Sequence, residues 1–268
     1  MKGLFSFLVV AALMTAAAVA QETEIFDIIS ASGKIIDKRS GKELQVGDKI
    51  SFQTELEFGS LNDRAVLLSS DKAKYFLELP KSSFIGSQLT IASNQALSPV
   101  KNRPALITAT RGPSVLVTEG VSPQTLRNYF TIDVFTVVGS KFTLPVKPED
   151  ARKYDLLLRY ESESGIEEYL STDFSISKND LKIQGNKIAE CFVFLKEGEK
   201  TNPVTNLSLF FVEKEQLFAE FDSLLKALNQ KGNNSVTRDI IIRYCTDVYG
   251  MIDRSTLETT INDFFALQ

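Results

Sequence analysis

The spacing of apolar residues in this 268-residue chain changes period at about Val212, and no other sequence feature limits the possible folds as much. Between Glu213 and Asn229, the residues Leu217, Phe218, Phe221, Leu224, Leu225 and Leu228 fall at i, i+1, i+4, i+7, i+8 and i+11. That spacing puts all six on one face of a helix. Glu213, Glu215 and Glu220 lie towards its start and Lys226 and Lys231 towards its end, which complements the helix dipole. After a Gly232-Asn233-Asn234 break, Ile240, Ile241, Tyr244, Cys245 and Val248 share a face over 236–249, and Gly250 stops that segment. Ser255-Thr256-Leu257-Glu258 has capping-box spacing, with Leu257, Ile261, Phe264 and Phe265 lining a third helix. Residues 213–268 therefore read as a three-helix unit whose helices pack on each other or on the preceding sheet.

Upstream, the pattern is that of short strands. From Ile25 to Leu79 the strand candidates are 25–29, 33–37, 49–58, 64–68 and 75–79, punctuated by Ser40-Gly41-Lys42, Gly47-Asp48 and Ser70-Asp71-Lys72. A second β-rich region, 126–212, has candidates at 129–138, 142–146, 154–160, 166–174, 187–195 and 204–212. Several are apolar on both faces, as in Cys191-Phe192-Val193-Phe194-Leu195, which suits a sandwich or a sheet covered by helices. A sandwich-like domain is expected. Between these regions, residues 81–125 form a Ser/Asn/Pro-rich connector expected to be partly ordered, with short apolar runs at Leu89-Thr90-Ile91 and Ala105-Leu106-Ile107. From Pro80 to Thr118 the charges are Lys81, Lys101, Arg103 and Arg111, without an acid. The expected class is α+β: a small N-terminal β-module (21–80), the connector, the second β-rich domain and the helical unit.

The first twenty residues point to export. Lys2 precedes an apolar run from Leu4 to Val19 that closes on Ala18-Val19-Ala20 before the polar Gln21-Glu22-Thr23-Glu24, the pattern of a cleaved secretory signal peptide. The run is shorter than the roughly 20 residues of a bilayer-spanning helix, so no stable membrane span is expected after cleavage. The expected mature chain starts at Gln21 and is periplasmic or secreted. Position 21 is not cysteine, so a lipoprotein anchor there is excluded.

Within the first module, Ser32-Gly33-Lys34-Ile35, then Gly41-Lys42-Glu43-Leu44-Gln45-Val46-Gly47-Asp48-Lys49-Ile50, then Leu56 and Arg64-Ala65-Val66-Leu67-Leu68, resemble the periplasmic domain of FecR-type proteins. Those domains carry a rhythm of small strands with Gly-Asp at the turns. The resemblance spans residues 25–79 and implies a small β-module in a bacterial envelope. FecR regulators have a cytoplasmic tail and a membrane helix ahead of this domain, whereas the signal peptide stands here. Transcriptional signalling is therefore not implied.

Composition excludes several activities. The chain has no histidine, so Ser-His-Asp and Cys-His nucleophile systems and the usual His-containing zinc sites cannot be assembled from it. It has no tryptophan, and its formal net charge of −4 argues against general nucleic-acid binding, which depends on cationic neutralisation of phosphates. No glycine-rich phosphate loop is present, and no cofactor or metal site is expected. The chemistry left open is carboxylate-pair catalysis, a Ser-Lys dyad or an oxygen-ligand metal site. Ser69-Ser70-Asp71-Lys72 has the S-x-x-K spacing of serine acyl-transfer enzymes, but on a hairpin turn that spacing does not bring serine and lysine together. Glu161, Glu163, Glu167, Glu168 and Asp173 surround Gly165, which suits an acidic hairpin tip, a Ca²⁺ site or a catalytic carboxylate pair. Cys191 and Cys245 can pair in an oxidising compartment or stay buried as thiols.

These features lead to an expected exported, non-enzymatic interaction or sensing protein of the cell envelope. Lys101, Arg103 and Arg111 would supply charge complementary to a protein partner. A glycan hydrolase using paired carboxylates and a structural subunit of a surface assembly are the alternatives.

Overall fold

A computed structural model describes residues 24–60, 63–80, 90–100, 114–130, 133–162, 165–181, 183 and 185–267. The signal-peptide expectation falls outside the described residues. The chain is α+β and β-rich, with helices at its C-terminal end, and divides into two compact units, Met1–Pro99 and Val100–Gln268. Among the described residues no helix is long and apolar enough to cross a membrane.

The first unit contains β1 (Ile25–Ser32), β2 (Ile35–Asp37), β3 (Lys42–Glu43), β4 (Lys49–Ser51), β5 (Glu55–Phe58), β6 (Arg64–Ser69), β7 (Lys74–Glu78), β8 (Thr90–Ala92), α1 (Ser93–Ala96) and β9 (Leu97–Pro99). Two antiparallel sheets, ordered β4-β1-β6-β7-β9 and β3-β2-β5-β8, share one core. Phe26, Ile28, Leu67 and Leu77 enter it from the first sheet and Ile35, Leu44, Leu56 and Phe58 from the second.

Turn chemistry sets the path of the strands. Gly47 takes φ 89°, and the Asp48 carboxylate accepts from the Gln45 N–H at 3.0 Å and from Lys42 Nζ at 2.8 Å. Gly33 is required twice over: its φ is +80°, and a Cβ there would lie 2.0 Å from Asp63 Oδ1. Asp63 is itself buried and accepts from the Ser60 N–H and Oγ.

Two expectations change here. The segment expected as one strand over 49–58 is two, because Thr54 closes a turn on Ser51 between β4 and β5. The connector expected over 81–125 is divided between the units. Thr90 and Ile91 of the Leu89-Thr90-Ile91 run lie in β8 on β5, and β9 pairs with β7, so this part completes both sheets of the first unit; Leu89 lies outside the described residues. Ala105-Leu106-Ile107 lies outside the described residues.

The second unit begins with α2 (Ser114–Glu119), α3 (Pro123–Tyr129), β10 (Val134–Val138), β11 (Lys141–Thr143), α4 (Pro148–Lys153), β12 (Asp155–Ser162), β13 (Gly165–Ser171) and β14 (Ser175–Ser177). It continues with β15 (Lys187–Glu197), β16 (Lys200–Val212), α5 (Lys214–Ala227), α6 (Ser235–Tyr249), β17 (Met251–Ile252) and α7 (Arg254–Ala266). Its main sheet is ordered β13-β12-β15-β16-β10-β17, with β10 parallel to β16 and β17 and the other pairs antiparallel.

The strands that are apolar on both faces lie in the main sheet, one face of which is packed by α3 and the small β11–β14 sheet and the other of which is covered by helices only at the β10–β16 side. One face packs Phe135, Leu158, Tyr160, Val193, Leu209 and Phe211 against Leu126, Tyr129 and Phe130 at α3, together with Phe174, Ile176 and Leu181. On the other face, at the β10–β16 side, Thr136 Oγ1 donates to the Tyr249 carbonyl at 2.6 Å and Phe210 packs on Tyr249 with ring centroids 5.8 Å apart. The helical unit therefore packs on the preceding sheet. β17, between α6 and α7, pairs with β10 and ties the helices to the sheet.

Other boundaries move for local reasons. Tyr129, expected to begin a strand, ends α3, because Ser122 and Thr125 form a capping box ahead of it and Pro123 occupies the first turn. Helix α7 is capped by Asp253, whose Oδ1 accepts from the Thr256 N–H at 3.0 Å; Ser255, the expected cap, donates its hydroxyl to the same carboxylate oxygen. The pairing considered for Cys191 and Cys245 is not formed: each is a buried thiol, Cys191 in β15 and Cys245 in α6.

Candidate functional site

The acidic residues expected around Gly165 do not converge. Side chains alternate across a strand, so Glu161, Glu168 and Ile166 lie on the outer face of the β12–β13 hairpin, while Glu167 lies on the opposite face beside Tyr160. Glu168 is held by Arg159, whose Nε and second terminal nitrogen lie 2.8 and 2.6 Å from Glu168 Oε1. Asp173 sits in the turn after β13 and accepts from Ser175 Oγ at 2.6 Å, Ser171 Oγ at 2.9 Å and Lys141 Nζ at 3.2 Å. Hydrogen bonds from Ser175 first, then from Ser171 and Lys141, hold its carboxyl well below the usual carboxylate range. Glu163 lies outside the described residues. Among the described residues no three metal-ligating side chains come together.

The S-x-x-K stretch is the expected hairpin turn. Ser69 ends β6 and its hydroxyl engages Asp71 and the Ala73 carbonyl, while Lys72 occupies the left-handed region at φ 70°. Lys101, Arg103 and Arg111 lie outside the described residues.

Two buried polar clusters were not legible in the sequence. Glu220 on α5 is fully buried and accepts from Tyr244 Oη at 2.9 Å, from Tyr249 Oη at 2.7 and 2.8 Å, and from Gln216 Nε2 at 2.9 Å. Asp253 accepts from Tyr129 Oη at 3.0 Å while capping α7. Burial, followed by the neighbouring carboxylate, raises the Tyr129 and Tyr244 hydroxyls well above the ordinary phenol range. Both clusters are enclosed in protein, with their acceptors used to join helices to one another or to α3. Cys191 is likewise shielded, and burial pushes its thiol up to about 12.

An open cleft of about 320 Å³ is lined by Val138, Lys214, Ser255, Thr256, Thr259 and Thr260. Most of its polar groups are already engaged: Lys214 with Asp263, Ser255 and Thr256 with Asp253, and Thr260 with the Thr256 carbonyl.

The surface with most to offer a ligand is the outer face of β13, β12 and β15. Register places Leu170, Leu157 and Phe194 in one row across the three strands and Glu168, Arg159 and Phe192 in the next, with Ile166 beside Glu161 beyond them. Ile166 is 77% exposed, Leu170 45% and Phe192 41%. Three large apolar side chains on one uncovered face are unusual, since such groups normally sit singly. Arg159 lies between Glu168 and the Phe194 ring, 5.3 Å from the ring centroid. The sequence signal was present in the doubly apolar run 191–195. It did not say that helices would cover only the β10–β16 side of that face.

Fold and surface together define a β-rich α+β protein with one open, partly apolar sheet face in its second unit. Comparison with known proteins finds no family model, curated protein or solved structure that matches the chain.

Proposed function

We propose that this chain is an exported interaction protein of the bacterial cell envelope that binds a protein partner through the outer face of β12, β13 and β15. The observation that carries the reading is the exposure of Ile166, Leu170 and Phe192 on that one face, in three successive rows around the Arg159–Glu168 pair. Burying such a patch stabilises a complex by roughly 25 cal/mol per Å² of apolar area, before the cost of association is subtracted. The acids beside it give direction and selectivity rather than affinity. Lys101, Arg103 and Arg111 remain candidates for a second, basic contact with the partner. Export rests on the signal-peptide pattern of residues 1–20.

The test is capture from a native envelope fraction by the chain from Gln21, with cross-linking and mass spectrometry, alongside Ile166→Lys, Leu170→Lys and Phe192→Lys. These side chains point to solvent, so the variants should fold. The reading expects a reproducible partner whose yield falls with each substitution. Yield unchanged in all three rejects the face. Charge reversal at Lys101, Arg103 and Arg111 should weaken capture further, and more so at low salt.

A further inference from the structure

We propose that the free edge of β13 takes up an extended segment of another protein whose side chains alternate between apolar and basic; this rests on the interaction reading and adds its mode and the partner's chemistry. Among the described residues β13 is the terminal strand of the six-stranded sheet and is hydrogen-bonded on one side only, to β12. A terminal strand presents a row of backbone N–H and C=O groups that another strand can pair with. The opposite end of the sheet offers no equivalent, because β17 is two residues long and both are buried.

Along β13 the outward side chains run Ile166, Glu168, Leu170. A strand laid beside them meets apolar, acidic and apolar neighbours in turn, so apolar, basic and apolar side chains are the complement. Both Arg159 contacts to Glu168 go to Oε1, which leaves Oε2 able to accept from an incoming cation. Exposed Glu161 lies on the same face of the neighbouring β12, opposite Ile166, and Glu167 projects from the other side of β13. The local field is acidic.

A second copy of this chain is the poorer occupant. Full overlap of two antiparallel β13 strands is centred on Glu168 and sets that carboxylate directly against its own copy, a destabilising like-charge pair. The same acids guard an otherwise apolar edge against indiscriminate pairing.

The test selects displayed eight-residue peptides, randomised throughout, against the chain from Gln21, and follows backbone amide exchange by NMR with and without the best peptide. The proposal expects enrichment of peptides alternating Val, Ile or Phe with Lys or Arg. Bound peptide should slow exchange at alternate amides of β13 by about tenfold or more, and Glu168→Lys should shift enrichment towards acidic peptides. Enrichment without alternation, enrichment of acidic peptides by the unmodified chain, or no enrichment overturns it. Peptide-induced shifts at Leu170 and Phe192 without slowed β13 amides overturn strand addition while leaving the face as a binding surface. Slowed β13 amides together with dimerisation in the absence of peptide would assign the edge to a second copy instead.

Discussion

Glu220 shows how a single residue can carry a helix pair. Position alone makes it one of three acids near the start of α5, suited to the helix dipole, yet it is fully buried and its partners Tyr244 and Tyr249 arrive from another helix. Removing an acceptor of two buried hydroxyls leaves both unsatisfied, so Glu220→Ala should lower stability by about 3 kcal/mol. Urea unfolding checks this through a lower midpoint at unchanged slope. That role was not legible because it depends on residues 24 and 29 positions away, and local periodicity reports only on the helix's own face. Asp173 offers a pH test. Its folded-state pKa is depressed, so its contribution is present above the unfolded carboxyl value of about 4 and disappears as pH falls below it. Asp173→Asn should therefore flatten the acid side of the stability profile and leave its shape above neutrality unchanged.

At the scale of elements, the three C-terminal helices were legible because each has a long apolar stripe and a clear break. α3 and the exact start of α7 were not, because short helices depend on caps. The alternatives for α7 make different predictions: Asp253→Ala removes the cap and the acceptor of Tyr129 and should cost about 2 kcal/mol, whereas Ser255→Ala removes one hydroxyl donor and should cost under about 1. Thermal unfolding of the two variants ranks them, and equal losses would return the cap to Ser255. The Gly47-Asp48 turn was legible in advance because its mechanism is local. Pairing of β10 with both β16 and β17 was not, since nothing local in Met251-Ile252 marks a two-residue strand between helices.

At the scale of the molecule, a β-rich α+β chain was readable from the change of period, but the grouping of segments was not. The connector is divided between the two units, and of the two packings open to the helices the one on the second sheet is realised, because long-range strand pairing decides both. The acidic residues around Gly165 show the same limit. Their density suited a hairpin tip, a Ca²⁺ site or a carboxylate pair alike, whereas strand alternation sends them to opposite faces and leaves an open surface whose apolar members, Ile166, Leu170 and Phe192, are the more telling feature. That surface is the account's central claim. The most direct measurement places a photo-reactive phenylalanine analogue at Phe192 and, as a control, at Val236, which is also exposed but lies on α6. Illumination in a native envelope fraction should give a discrete adduct with one protein from position 192 and none from position 236. No adduct from 192, or the same adducts from both positions, would contradict the assignment of the β12–β13–β15 face as the partner surface.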